Sequence, residues 1–148
     1  MFTIYIDADA APKSVMAIVQ ELATRYTIPY YTVANYHHQF ASPHHITVSD
    51  GADSADFKII SLVQHGDIVI TQDYGLASLV IAKGADVLTS YGEQLTAHNI
   101  DHYLAIRAES SHLRRQGIRT KGPRKRKIKD DELFLETLEQ LLQEKLAP

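Results

Sequence analysis

The stretch FTIYIDADAAPKSVMAIVQELATRY, residues 2–26, decides how the rest of the chain is read. FTIYI is an apolar, β-branched and aromatic run, which suits a strand buried on both faces. PKSVMAIVQELATRY follows, with Val15, Ile18, Val19, Leu22 and Ala23 at helical spacing and Pro12 where a helix tolerates it in its first turn. A buried strand running into an amphipathic helix is the opening of an α/β unit. Between the two stand Asp7 and Asp9, a pair of carboxylates at the point where the strand should end.

The same alternation recurs downstream. PYYTVAN (29–35) and HITVS (45–49) read as strands, and SADFKIISLVQH (54–65) as a helix. The apolar IVI of DIVITQD is a short strand, GLASLVIAKG a helix stopped by Gly84, and ADVLT a further strand. Apolar rather than alternating strands, separated by helices, predict a mostly parallel sheet covered on both faces. Residues 97–116 read as another helix, RTKGPRKRKIK as a basic linker, and DDELFLETLEQLLQEKL as a terminal amphipathic helix with acids in its first turn. The expected division is an α/β domain over residues 1–118 and a basic segment with its helix over 119–148. The terminal helix packs either on its own domain or on a second copy as a homodimer, and the sequence leaves both open.

Composition narrows the chemistry. With 148 residues the chain has room for one substantial core, and with no cysteine it offers neither disulfide, thiolate metal site nor thiol nucleophile. The N-terminus lacks a signal-peptide pattern and no apolar run approaches the roughly 20 residues of a membrane span, so a cytoplasmic protein without membrane contact is expected. The net charge of −3 conceals a block pattern: ten of the fifteen Lys and Arg residues fall between Arg107 and Lys129, where Glu109 is the only acid. That block carries +9, against −7 before it and −5 after it. Such density around Arg124, Lys125, Arg126 and Lys127 suits a phosphate backbone, although a solvated linker has the same composition.

The acids sort by strand. In an open α/β sheet, ligands bind beyond the carboxyl ends of the parallel strands. Asp7 and Asp9 follow the first strand and Asp73 follows IVIT, which puts all three at one edge. Asp67 precedes that strand and is excluded, being about 20 Å from Asp73 along an extended segment. Asp53 and Asp56 stand at the start of a helix, where Asp53 serves equally as cap or ligand and Asp56 can reach across the edge. Carboxylates gathered this way raise one another's pKa, and a hard divalent cation, Mg²⁺ or Mn²⁺, removes the penalty. Metal-assisted phosphoryl hydrolysis is the reaction class that follows.

D-x-D after an apolar strand also occurs in phosphatases of the haloacid dehalogenase type. Combined with Thr71, Asp73, Leu76 and Ala77 in T-x-D-x-x-L-A, it resembles the PIN-like nucleases. Together IDADAAP, GADSADFKI, GDIVITQDYGLA and QGIRTKGP look like the YaiI/YqxD family of bacterial proteins, over residues 4 to about 123. The resemblance implies a Rossmann-like, three-layer α/β/α domain of PIN type. It also implies a Mg²⁺ or Mn²⁺ site at Asp7, Asp56 and Asp73, with Asp9 and Asp53 as further candidates. One departure is that Ala11 stands before the proline where the family commonly has cysteine, so no thiol chemistry operates there.

Three functions compete on these grounds. The first is a metal-dependent nuclease acting on RNA rather than DNA, with Asp7, Asp56 and Asp73 as catalytic residues and the basic segment guiding the strand. The second is a nucleic-acid-binding module without catalysis; the third is a dehalogenase-type phosphatase using Asp7 as nucleophile, which lacks a late acidic pair. Lys13 is either a phosphate contact or an exposed helix residue, and Thr71 either a hydrogen-bonding group at the site or a strand residue. His37, His38, His44 and His45 read as solvated loop residues more readily than as a zinc or nickel site. Tyr30, Tyr31 and Tyr36 are either core or base-stacking residues.

Overall fold

A six-stranded sheet forms the middle layer of the computed structural model, in the order β3-β2-β1-β4-β5-β6. Residues 1–35, 44–48, 54–119 and 125–148 are described. The central strands are β1 (Ile4–Asp7) and β4 (Ile68–Ile70), paired in parallel and flanked by β2 (Tyr30–Asn35) and β5 (Asp86–Leu88). β3 (His45–Val48) extends one side in parallel. On the other side β6 (Gln94–Leu95) turns back antiparallel to β5, an element absent from the sequence reading.

Side chains of a strand alternate between faces, and β1 shows what each face buries. Ile4 and Ile6 join a cluster with Val15, Val19 and Leu22 of α1 (Lys13–Tyr26) and with Phe134, Leu138 and Leu142 of α5 (Ile128–Leu146). Tyr5, between them, faces a second cluster. There Ile59 of α2 (Ser54–Leu62), Leu76 and Val80 of α3 (Tyr74–Ala82) and Ile100 of α4 (Ile100–Arg115) pack on Val69 and Val87. The expected three-layer α/β arrangement is therefore present, with two helices on one face and three on the other.

The helix layers follow from the strand order. From β1 the chain steps outward through β2 to β3, then crosses back to β4 on the other side of β1. Parallel crossovers keep one hand, so α1 and α3, whose connections run in opposite directions, must cover opposite faces. The carboxyl ends of β1 and β4 flank the point where the direction reverses, the usual ligand crevice of such sheets.

The terminal helix is part of this core. Phe134, Leu138 and Leu142 are fully buried, and each such side chain contributes about 1.5–3 kcal/mol. The β5–β6 turn lies under the same helix: a Cβ on Gly92, at φ +81, would come within 2.9 Å of Leu133. Among the described residues no helix is long and apolar enough to cross a membrane.

Candidate functional site

At the carboxyl edge of β1 and β4 a cleft of about 380 Å³ is lined by Asp7, Asp9, Asn35, Asp56, Gln72 and Asp73, with Ala10 and Ala55. Each acid arrives from a different element. Asp7 is the last residue of β1, Asp9 lies in the turn after it, Asp56 is in the first turn of α2, and Asp73 caps α3. Four of the five carboxylates expected as ligands therefore share one cavity. Asp53 lies outside the described residues.

The carboxylates are held by the protein before any ligand arrives. Thr71, 3% exposed, donates its hydroxyl to Asp7 Oδ2 at 2.9 Å and accepts the Asp73 N–H at 3.0 Å, linking the two acids. The hydroxyl proton thus goes to Asp7 and not to a substrate. Asp73 Oδ1 accepts the Gly75 and Leu76 amides at 2.9 and 3.1 Å, a helix cap that leaves the residue one-third exposed. Both Asp9 oxygens accept the Asn35 N–H at 3.2 Å, tying the turn to the end of β2.

Burial pushes the Asp7 carboxyl above the usual carboxylate range; the Thr71 hydrogen bond opposes this, and the charges of Asp9 and Asp73 push it further up. The site therefore concentrates negative charge, and among the described residues no cation is paired with Asp7. A cation does touch the site. Arg107 of α4, a residue the sequence reading passed over, brings Nη1 to 3.5 Å from Asp73 Oδ1. Gly75 makes room for that guanidinium, because a Cβ there would approach Arg107 Nη1 at 3.2 Å.

A hard divalent cation is tested by the donors on hand. All the acids supply oxygen, and Asn35 Oδ1, beside them, is buried without a hydrogen-bond partner. Mg²⁺ binds through one or two carboxylates together with waters and phosphate, so this lining suits it. On the other side, no group of three or more His, Asp or Glu residues is gathered to hold an ion among the described residues. The fit is to a hydrated ion held by few direct ligands, not to a closed protein cage.

The remaining expected site residues fall elsewhere. Lys13 is exposed at the start of α1 and does not line the cleft. Arg126 is 17% exposed and engaged: it donates to Asp131 at 2.7 and 2.9 Å and to the Ser90 carbonyl at 2.7 Å, and lies over the Tyr91 ring. Lys127 caps α5 and Lys125 is exposed, while Arg124 lies outside the described residues. Tyr30 and Tyr31 are not at the mouth of the site. Their register opposite Ile4 and Tyr5 places them toward the amino edge, where Tyr30 stacks on His44 at 4.3 Å. His45 meets Thr32 Oγ1 at 2.7 Å, and Tyr36, His37 and His38 lie outside the described residues.

Asp67 belongs to the opposite edge, as the strand order requires, where it accepts the Thr3 and Gln64 amides. β4 thus separates Asp67 from Asp73, and no late acidic pair of the dehalogenase kind forms from them. Gln72 lines the cleft and its Oε1 accepts the Ser90 N–H at 2.9 Å; only its place between Thr71 and Asp73 pointed to it.

Comparison with known proteins supplies relatives. The model of the family described as "Uncharacterized BCR, YaiI/YqxD family" matches residues 5–144. A UPF0178 protein of Heliobacterium modesticaldum is 42% identical over 139 residues, covering 94% of this chain and 95% of the relative. One from Bacillus thuringiensis subsp. konkukian is 43% identical over 136 residues, covering 88% and 92%. No solved structure matches the chain.

Proposed function

This chain belongs to the YaiI/YqxD family, and we propose that it is a metal-dependent nuclease that hydrolyses phosphodiester bonds in RNA. The observation that carries the reading is the convergence of Asp7, Asp9, Asp56 and Asp73 on one cleft, with the Asp7 carboxyl destabilised as an anion by burial and by its acidic neighbours. Asp7, Asp56 and Asp73 would hold Mg²⁺ or Mn²⁺, with Asp9 beside them. Bound there, such an ion readies a water for attack and neutralises charge developing on the phosphate.

The residues of the chain do the positioning. Thr71 fixes Asp7 through Oδ2, and the α3 amides fix Asp73 through Oδ1, so neither carboxylate must be ordered during reaction. Asp56 enters the cleft from the first turn of α2, so the three acids would reach the ion from three separate elements. The test is Mn²⁺-dependent cleavage of single-stranded RNA by wild type, Asp7→Asn and Asp73→Asn. Asparagine caps helices about as well as aspartate, so loss in Asp73→Asn reports the missing charge and not a frayed α3. Equal cleavage by all three proteins overturns the reading.

A second reading, a nucleic-acid-binding protein without turnover, is favoured by one observation: the basic block from Arg107 to Lys129, which holds ten Lys and Arg residues and one acid. Calorimetry separates the two. Mn²⁺ uptake by wild type that is lost in Asp73→Asn supports the nuclease, and RNA binding with no Mn²⁺ uptake supports the binding module.

A further inference from the structure

We propose that the site-facing stripe of α4, carrying Arg107 and Arg114, is the track for the phosphates flanking the scissile bond of a single-stranded nucleic acid. The inference rests on the nuclease reading for what happens at the acids, and adds where the strand lies. It also moves the principal phosphate contact away from the 124–127 segment.

The geometry begins with the helix. Ile100, Tyr103, Leu104, Arg107, Ser111 and Arg114 recur at intervals of three and four, so they lie along one face of α4. The first half of that face packs on the α2–α3 side of the sheet through Ile100, Tyr103 and Leu104. The second half carries Arg107, against Asp73 at the cleft, and two turns on Arg114, among whose contacts is a hydrogen bond donated to Ser111 Oγ at 3.3 Å. The two arginines are separated by about 10 Å of helix rise, which a single phosphate cannot span. Glu109, the one acid of this basic block, lies on the opposite face.

Arg107 is built to change partners. Its contact with Asp73 is long, at 3.5 Å, and its side chain is 55% exposed, so a phosphate oxygen can replace the carboxylate at little cost. Arg126 lacks that freedom, with its guanidinium shared between Asp131 and Ser90. One turn before Arg107 the Tyr103 ring is fixed by hydroxyl donation to Glu93 and by a tilted contact with Tyr74 at 5.1 Å. A fixed, half-buried aromatic beside a phosphate-binding arginine suits an unstacked base, as sequence-tolerant single-strand binders use.

The experiment is fluorescence anisotropy with a short fluorescein-labelled oligouridylate in EDTA, so that no turnover is needed, over a range of salt. Wild type should bind with a steep salt dependence. In Arg107→Gln/Arg114→Gln the slope of log K against log salt should fall by about 1.4, near 0.7 for each single-strand phosphate that the protein no longer neutralises. Arg107→Lys/Arg114→Lys should restore most of the slope, and thermal melting should match wild type throughout. An unchanged slope in the Gln variant overturns the proposal. So does loss of the slope in Lys125→Gln/Lys127→Gln instead, or equal affinity for a duplex. Strand binding that depends on the α4 arginines without any cleavage in Mn²⁺ leaves the track standing and removes the nuclease reading.

Discussion

Two aspartates, one on each edge of the central strands, are withdrawn from solvent to different ends, Asp67 fully and Asp7 in part. Asp67, 6% exposed, receives a backbone N–H on each oxygen, from Thr3 at 2.9 Å and Gln64 at 2.8 Å, and so stitches the start of β1 to the turn before β4. Asp7 has one hydroxyl donor and two acidic neighbours. Solvation given up by the first is returned by two amides; solvation given up by the second is returned, among the described residues, by the Thr71 hydroxyl against the charge of two acids. Burial of an acid therefore says little until its partners are counted.

The sharpest way to break this contrast is catalytic. Asp7→Asn should lower Mn²⁺-dependent cleavage by at least about 100-fold, some 2.7 kcal/mol, while Asp67→Asn, assayed where it is folded, should stay within about twofold. Comparable losses in both would erase the distinction. Stability should reverse the order. Asp67→Asn turns an acceptor into an amide NH₂ facing a backbone N–H, and should cost about 2 kcal/mol in urea unfolding. Asp7→Asn should instead stabilise the fold by about 1 kcal/mol, as replacement of a strained site residue commonly does.

The pH dependence of that last effect has a fixed sign. Native Asp7 has a carboxyl pKa above its ordinary 3.8, so the native state binds more protons than the unfolded chain between the two values, and stability falls as pH rises through that window. The advantage of Asp7→Asn over wild type should be full above the raised native value and vanish below the ordinary one. An advantage independent of pH would mean that charge is not its source.

Much of this was legible in the sequence where local signals agree. β1, α1, β4 and α3 are apolar runs closed by Asp, Pro or Gly, and the rule that ligands sit beyond parallel strand ends was enough to sort Asp7 and Asp73 from Asp67. β6 was not legible, because Gln94 and Leu95 carry no periodicity and owe their strand conformation to pairing with β5. The basic block was visible only as density. Which arginine faces the acids and which is spent on Asp131 depends on where α4 and α5 dock, and charge counting contains no direction. Asn35 was missed for a similar reason: it gains its place beside Asp9 only through the parallel pairing of β1 and β2.

The burial of Phe134, Leu138 and Leu142 against Ile4, Ile6 and Val15 ties the opening of the chain to its close. At a synthesis rate of about 5–20 residues per second, the first strand and helix wait roughly 5–25 s for the helix that covers them. A polypeptide broken off before that helix keeps an oily face open to chaperones and proteases.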